Sequence, residues 1–191
     1  MAEPHHRLSE EEYLAFERRS EGRHEFLHGE IFAMTGASLR HHRLATNLAV
    51  SLGLQLRGRP CELYIADMRV RVAATGLYTY PDLVVVCGEP RFADAELDTL
   101  LTPTLIVEIL SPTTEATDRG RKFAHYRRLE SLAEVLLIAQ DRVAVEHYSR
   151  LPEGGWHLRE ATGLDDRIIL PAIGCELPLS EVYERVLDQT G

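Results

Sequence analysis

Leu44, Ala45, Leu48, Ala49, Leu52 and Leu56 recur three and four positions apart, the spacing that stacks apolar side chains along one face of a helix. The pattern predicts a helix from Ser38 to about Arg57, stopped by Gly58 and only slightly weakened by Gly53 inside it. Ahead of it, Ser9-Glu10-Glu11-Glu12 has the capping-box form, so a shorter helix is expected from about Ser9 to Arg19, turning Tyr13, Leu14 and Phe16 toward a core. Between the two, Glu25-Phe26-Leu27 and Glu30-Ile31-Phe32-Ala33-Met34 flank His28-Gly29 and read as a hairpin. After Gly58 short apolar runs take over: Glu62 to Ile65, Met68 to Ala73, Asp82 to Cys87 and Thr104 to Leu110 read as strands, while Gly88 to Pro103 is the least patterned stretch. A second long helix is expected from about Thr114 to Leu129, then a hairpin of Glu134 to Ala139 and Val143 to Ser149 around Asp141-Arg142. The tail adds β structure from Trp156 to Leu170 and a closing helix from Ser180 to Leu187. This order is that of an α/β protein, a mixed β-sheet flanked by helices, and 191 residues without an internal repeat or low-complexity linker point to one domain, 1–191.

Composition narrows the class. Hydrophobic residues at 45 % and charged residues at 27 % belong to a globular chain able to bury a core. The longest apolar runs, such as Leu83 to Cys87, fall far short of the roughly 18 residues of a membrane span. The opening Met1-Ala2-Glu3-Pro4-His5-His6-Arg7 has neither an apolar h-region nor a small-residue cleavage site, so a cytoplasmic location is expected. Three cysteines, Cys61, Cys87 and Cys175, are odd in number and far apart, which favours buried free thiols. A net charge of -9 argues against a general nucleic-acid coat protein, whose affinity comes from a basic surface. It leaves room for an enzyme that holds cations on carboxylates and meets phosphates with local basic stretches, here Arg40-His41-His42-Arg43 and Arg119 to Arg128.

The candidate chemistry lies in two strands and the helix after them. Asp82 starts a strand whose next five residues are apolar, and Glu108 sits inside Leu105-Ile106-Val107-Glu108-Ile109-Leu110. A carboxylate in such a strand is costly unless it is paired or bound to a cation. If the two strands are antiparallel neighbours, the start of one lies beside the end of the other and the two carboxylates converge. Hard oxygens meeting at one point suit Mg2+ or Mn2+. Lys122 is the sole lysine among 21 basic residues; its compact ammonium approaches a water or a phosphate more closely than a guanidinium can. Asp118, Lys122 and Tyr126 stand four residues apart and share a helix face, with Arg119 beside them, while the turn Ser111-Pro112-Thr113-Thr114 offers hydroxyls to cap that helix.

Pro81-Asp82, Glu108 within Ile106-Val107-Glu108-Ile109-Leu110-Ser111-Pro112-Thr113, and Asp118, Lys122 and Tyr126 together resemble the Uma-two family of endonucleases, a branch of the PD-(D/E)XK superfamily. Gly29-Glu30-Ile31, His41, Asn47 and Tyr80 to Val86 fall in the same order, so the resemblance spans most of the chain. It implies a restriction-endonuclease-like core and magnesium-dependent phosphodiester hydrolysis, with Asp82, Glu108 and Lys122 as catalytic residues, Asp82 and Glu108 as metal ligands and Glu30 as a further acidic site residue. The commonest superfamily pattern has lysine two residues after the glutamate, where this chain has Leu110, so Lys122 on the next helix would supply the ammonium. Arg40, His41, Arg43, Arg119 and Tyr126 are candidate nucleic-acid contacts. The expected partner is nucleic acid, with DNA the first choice, and a homodimer could form through apolar surface around Trp156 and Ile168 to Ile173. The rival reading is a restriction-like scaffold without turnover that binds nucleic acid or protein. A serine hydrolase is disfavoured, because no Gly-x-Ser-x-Gly turn is present.

Overall fold

The computed structural model describes residues 7–111, 115 and 118–187, with the backbone alone at Asp118. Its central sheet has six strands: β3 (Cys61–Ile65), β6 (Leu83–Cys87), β8 (Leu105–Leu110), β9 (Glu134–Ala139), β10 (Val145–Arg150) and β11 (Trp156–Ala161). They lie in the order β11-β10-β9-β8-β6-β3. All neighbours are antiparallel except β8 and β9, which run parallel from Leu105↔Glu134 to Leu110↔Ala139. Every residue of β8 and β9 is buried, as central strands covered on both faces should be.

Alternation along these strands sorts the core into two layers. Leu83, Val85, Leu105, Val107, Leu136 and Ile138 face the long helix α2 (Leu39–Leu56), whose Leu44, Leu48, Leu52 and Leu56 form one buried stripe. Burying a leucine contributes about 1.5–3 kcal/mol, so this stripe anchors the helix. The Ser38 hydroxyl caps α2 by accepting from the His41 amide. The intervening residues Val84, Val86, Ile106, Leu110, Val135 and Leu137 face the other way. They meet Tyr126, Leu129 and Leu132 and the inner side of a second sheet. That sheet comprises β1 (His24–Leu27), β2 (Glu30–Ala33), β4 (Arg69–Val72), β5 (Leu77–Thr79) and β7 (Thr99–Leu100), in the order β2-β1-β5-β4-β7. The helix α1 (Glu10–Glu17) has the complete capping box and packs Tyr13 on Phe26 and Tyr78. A two-stranded ribbon, β12 (Arg167–Leu170) and β13 (Cys175–Pro178), and the short α4 (Leu179–Val182) close the α2 side.

The mixed sheet flanked by helices expected from the sequence is present. β5 and β7, of three and two residues, are too short to show a period. The long helix expected over 114–129 differs more. Pro112–Thr114 lie outside the described residues, and further along the chain a π-helical turn, Asp118–Lys122, leads into one turn of helix α3, Phe123–Tyr126. Gly120 sits inside the π-turn, and the wider i→i+5 turn re-aims the residues after it. The free-thiol expectation is corrected at two of three cysteines: the β3–β6 register sets Cys61 opposite Cys87, and the two form a disulfide, while Cys175 is buried and free. Strand pairing thus joins residues 26 apart that no sequence motif links. Of the apolar tail, Ile168, Leu170 and Ile173 are core, Ile169 is exposed, and Trp156 packs on Phe123 beneath the Arg150 guanidinium. Among the described residues no helix is long and apolar enough to cross a membrane.

Candidate active site

Two strand ends bring the first carboxylates together. Pro81 has no amide hydrogen to give a ladder, so β6 starts beyond it and Asp82 stands at the strand's entrance. In the antiparallel pairing Leu83 faces Val107 and Val84 faces Ile106; carried one residue further, the register sets Asp82 opposite Glu108. Asp82 is locked from both sides, Oδ2 accepting from the Ile109 amide at 2.7 Å and Oδ1 lying 2.9 Å from His41 Nε2. His41 reaches it from the first turn of α2, whose N-terminus is fixed over the sheet by Ser38, the Ser38 hydroxyl also donating to Gln140 at the end of β9.

Glu108 is only 4 % exposed, and an ionised carboxylate so placed must be compensated. Lys122 Nζ lies 3.3 Å from its Oε1, and the Tyr126 hydroxyl donates to the same oxygen. The two partners stand four residues apart, across the exit of the π-turn, and so fall on one face. Tyr126 is fully buried; burial first, and then the Glu108 charge, raise its phenol well above the usual value, so the group stays a proton donor. Lys122 is held on its other side by Glu25 of β1, with Nζ to Oε1 at 2.9 Å, and Glu25 in turn accepts from the Thr79 hydroxyl of β5. The lysine therefore bridges a carboxylate from each sheet.

These groups open onto a cleft of about 990 Å3. Among the described residues Glu25, Asp82, Glu108 and Lys122 are its Asp, Glu, Lys and Arg lining, three carboxylates against one ammonium, and Phe32, Met34, Ala45, Ala49, Val50 and Ile65 make much of the wall. Tyr80 backs it, held by a buried network in which it donates to Glu17 at 2.9 Å and accepts from Arg69 at 2.8 Å; burial pushes its phenol up to about 12. The donor set suits a hard cation of the magnesium type, which takes one or two carboxylates and keeps several waters. Among the described residues no group of three or more His, Cys, Asp or Glu side chains is placed to hold a metal ion, so a cation here would rest on Asp82 and Glu108 and on water.

The structure brings Asp82, Glu108, Lys122, His41 and Tyr126 together but separates the other candidate residues. Glu30 is exposed at the start of β2 and does not line the cleft; the acidic residue there is Glu25, on the other arm of the same hairpin. Tyr126, expected as a nucleic-acid contact, is buried with its hydroxyl given to Glu108. His41 is engaged with Asp82 rather than held out to solvent. Arg119 pairs with Glu115 and Glu146, and Arg43 donates to the Arg185 carbonyl at 2.6 Å; neither these two nor Arg40 lines the cleft. The Asp118 side chain lies outside the described part. Sequence reasoning passes over Glu25 and Thr79. The available signal is a second carboxylate opening a short apolar strand, the same signal that singles out Asp82.

Comparison with known proteins gives a concordant result. The family described as "Uma2: Putative restriction endonuclease" matches residues 10–180. Two proteins of Synechocystis sp., both described as uncharacterized, are similar to the chain. One, sll1609, is 38 % identical over 156 residues, 82 % of this chain and 88 % of its own length. The other, slr1290, is 35 % identical over 181 residues, 94 % and 93 % of the two lengths. A crystal structure from Anabaena variabilis, titled as a putative nuclease, superposes with a TM-score of 0.76 over 94 % of this chain and 99 % of that one, at 17 % identity. At that identity the likeness is one of fold, and it bears out the α/β class read from the sequence.

Proposed function

The chain belongs to the Uma2 family of restriction-endonuclease-like proteins, and on that premise we propose that it is a metal-dependent nuclease hydrolysing phosphodiester bonds of nucleic acid, with DNA as its substrate. The observation that carries this reading is the pairing of Asp82 with Glu108 across adjacent antiparallel strands, beside Lys122 at the cleft. Asp82 and Glu108 would hold Mg2+ or Mn2+, which when bound supplies Lewis-acid polarisation of the phosphate and a water of lowered pKa. Lys122 would steady the negative charge that develops on the phosphate oxygens during attack. Tyr126 and Glu25 are positioning residues in this scheme: the phenol donates to the Glu108 carboxylate and orients it, and Glu25 holds the lysine from behind. His41 and the Ile109 amide fix the rotamer of Asp82. A cleft with more carboxylates than cations repels a phosphodiester until a metal is present, so activity should depend strictly on the cation.

The test is cleavage of plasmid, linear and single-stranded DNA and of RNA with magnesium, manganese or EDTA, using wild type, Lys122→Ala and Asp82→Ala. The expected result is metal-dependent cutting that falls by at least about 100-fold in each variant. The net charge of -9 and the engagement of Lys122 by two carboxylates support one other reading, a scaffold without turnover. No cutting by wild type, with nucleic-acid binding equal in all three proteins and indifferent to EDTA, would select it.

A further inference from the structure

Behind Lys122 lies a second hollow of about 220 Å3. Glu25, Phe32 and Lys122 line both it and the large cleft, so the two adjoin at these side chains. Arg121 and His125 also line it, and Leu27 and Leu77 form apolar lining. Arg121 is exposed, and no ion pair holds its guanidinium among the described contacts. His125 is half-buried, and its Nδ1 is buried without a hydrogen-bond partner among the described residues. With that nitrogen closed off, the ring's polar capacity rests with Nε2, and the tautomer carrying its proton there is an N–H donor. Desolvation, and then coulombic interaction with His28 and Arg121, hold the His125 pKa below its ordinary value.

We propose that this hollow is a second phosphate subsite, taking the phosphodiester adjacent to the one that meets Asp82, Glu108 and Lys122. Arg121 supplies the charge, His125 a hydrogen bond, and Phe32, 42 % exposed and common to both linings, the apolar surface between the two phosphates. Successive phosphates of one strand are adjacent anions with an uncharged sugar and base between them, and two polar pockets flanking a ring match that sequence of chemistries. The assignment rests on the reading of the cleft as a nucleic-acid site. It differs from the basic contacts expected at Arg40, Arg43 and Arg119, none of which lines either pocket.

The test is equilibrium binding, with calcium as the cation, of fluorescent single-stranded oligonucleotides in which one phosphodiester at a time is replaced by an uncharged methylphosphonate. Wild type, Arg121→Ala, His125→Ala and Arg127→Ala are compared, Arg127 being an exposed arginine outside the hollow. For wild type, two adjacent replacements should weaken binding about tenfold each. In Arg121→Ala one of the two should lose its effect, affinity for the unmodified strand should fall about tenfold, and the salt slope should drop by about 0.7. His125→Ala should blunt the same position, and Arg127→Ala neither. The subsite is overturned if both positions keep their effect in Arg121→Ala, if Arg127→Ala behaves identically, or if wild type binds no strand. Cleavage with magnesium is read in parallel: position-specific binding that depends on Arg121, without cutting, would reject the nuclease and retain the subsite.

Discussion

Replacing Tyr126 by Phe removes one oxygen from a side chain that is fully buried and leaves its packing against the apolar layer intact. What is lost is the hydrogen bond to Glu108 Oε1, whose other described partner is Lys122 at 3.3 Å. A hydrogen bond to a charged acceptor is worth about 1.5–3 kcal/mol, and here the acceptor is a carboxylate only 4 % exposed, so solvent cannot take over the vacated position. The expected loss is about 2 kcal/mol, a fall in Tm of roughly 4–8 °C for a chain of this size. Thermal or urea unfolding of wild type, Tyr126→Phe, Glu108→Gln and the double variant forms a cycle that isolates the pair. Glutamine keeps the shape of the acceptor without its charge, so the double variant should lose less than the sum of the singles by about 1 kcal/mol or more. Additivity within about 0.5 kcal/mol, or an unchanged Tm in Tyr126→Phe, would refute the claim that this phenol compensates a buried carboxylate. If turnover is measured on the same proteins, Tyr126→Phe should lower kcat more than it raises KM, because it disturbs the orientation of Glu108 rather than a contact with substrate.

Other consequences are as readily checked. Lys122→Met removes the cation that bridges Glu25 and Glu108; turnover should fall by at least about 100-fold while the thermal stabilisation produced by manganese grows, since two carboxylates lose their internal counter-ion. Glu25→Gln should lower kcat by about tenfold or more and Glu30→Gln by less than about twofold, because only the first touches the lysine; equal effects would mean the hairpin faces the site the other way. The Arg18 guanidinium holds the Asp98 carboxyl well below the usual carboxylate range. Its stabilising contribution is therefore complete above about pH 4 and is lost as pH falls through the folded-state value, so Asp98→Asn should flatten the acid limb of a stability–pH profile and leave the neutral region with a constant offset. Leu48→Ala, in the fully buried stripe of α2, should cost about 2–5 kcal/mol by urea unfolding.

The part of the site carried by local pattern is readable without coordinates. A carboxylate inside Leu105-Ile106-Val107-Glu108-Ile109-Leu110 is anomalous wherever the strand goes, and a strand beginning at Pro81-Asp82 limits which of its residues sits at an end. The antiparallel neighbourhood of the two strands is then one of few arrangements that satisfies both charges. What cannot be read depends on which sheet a short strand joins. Glu25 and Glu30 occupy opposite arms of one hairpin and look alike in sequence; the choice is made by β1 pairing with β5 at Phe26↔Tyr78, which puts Glu25 beside Thr79 and leaves β2 at the sheet's edge. Three-residue β5 carries no period that would announce this. The Cys61–Cys87 link is of the same kind, a product of β3–β6 register. The π-turn is a third case: helical spacing predicts that Lys122 and Tyr126 share a face, yet the turn preceding them, around Gly120, belongs to a geometry that apolar periodicity does not encode.

Several of the chain's arginines are engaged away from this cleft. Asp94 and Asp98 hold Arg18, Asp98 also holds Arg69, Glu10 holds Arg71, Asp67 holds Arg23, and Glu115 takes both Arg119 and Arg142. These pairs fasten α1 and the loops onto the sheets, and several are exposed enough to contribute little individually. They also remove from circulation the arginines that would otherwise compete for the site carboxylates. Among the described residues the cleft is left with one lysine and no arginine, in a chain that uses arginine at every other basic position. A guanidinium between Glu25 and Glu108 would lock both in a bidentate fork. An ammonium offers a compact point charge in place of that fork, and this difference gives a physical reason for the single lysine to stand where it does.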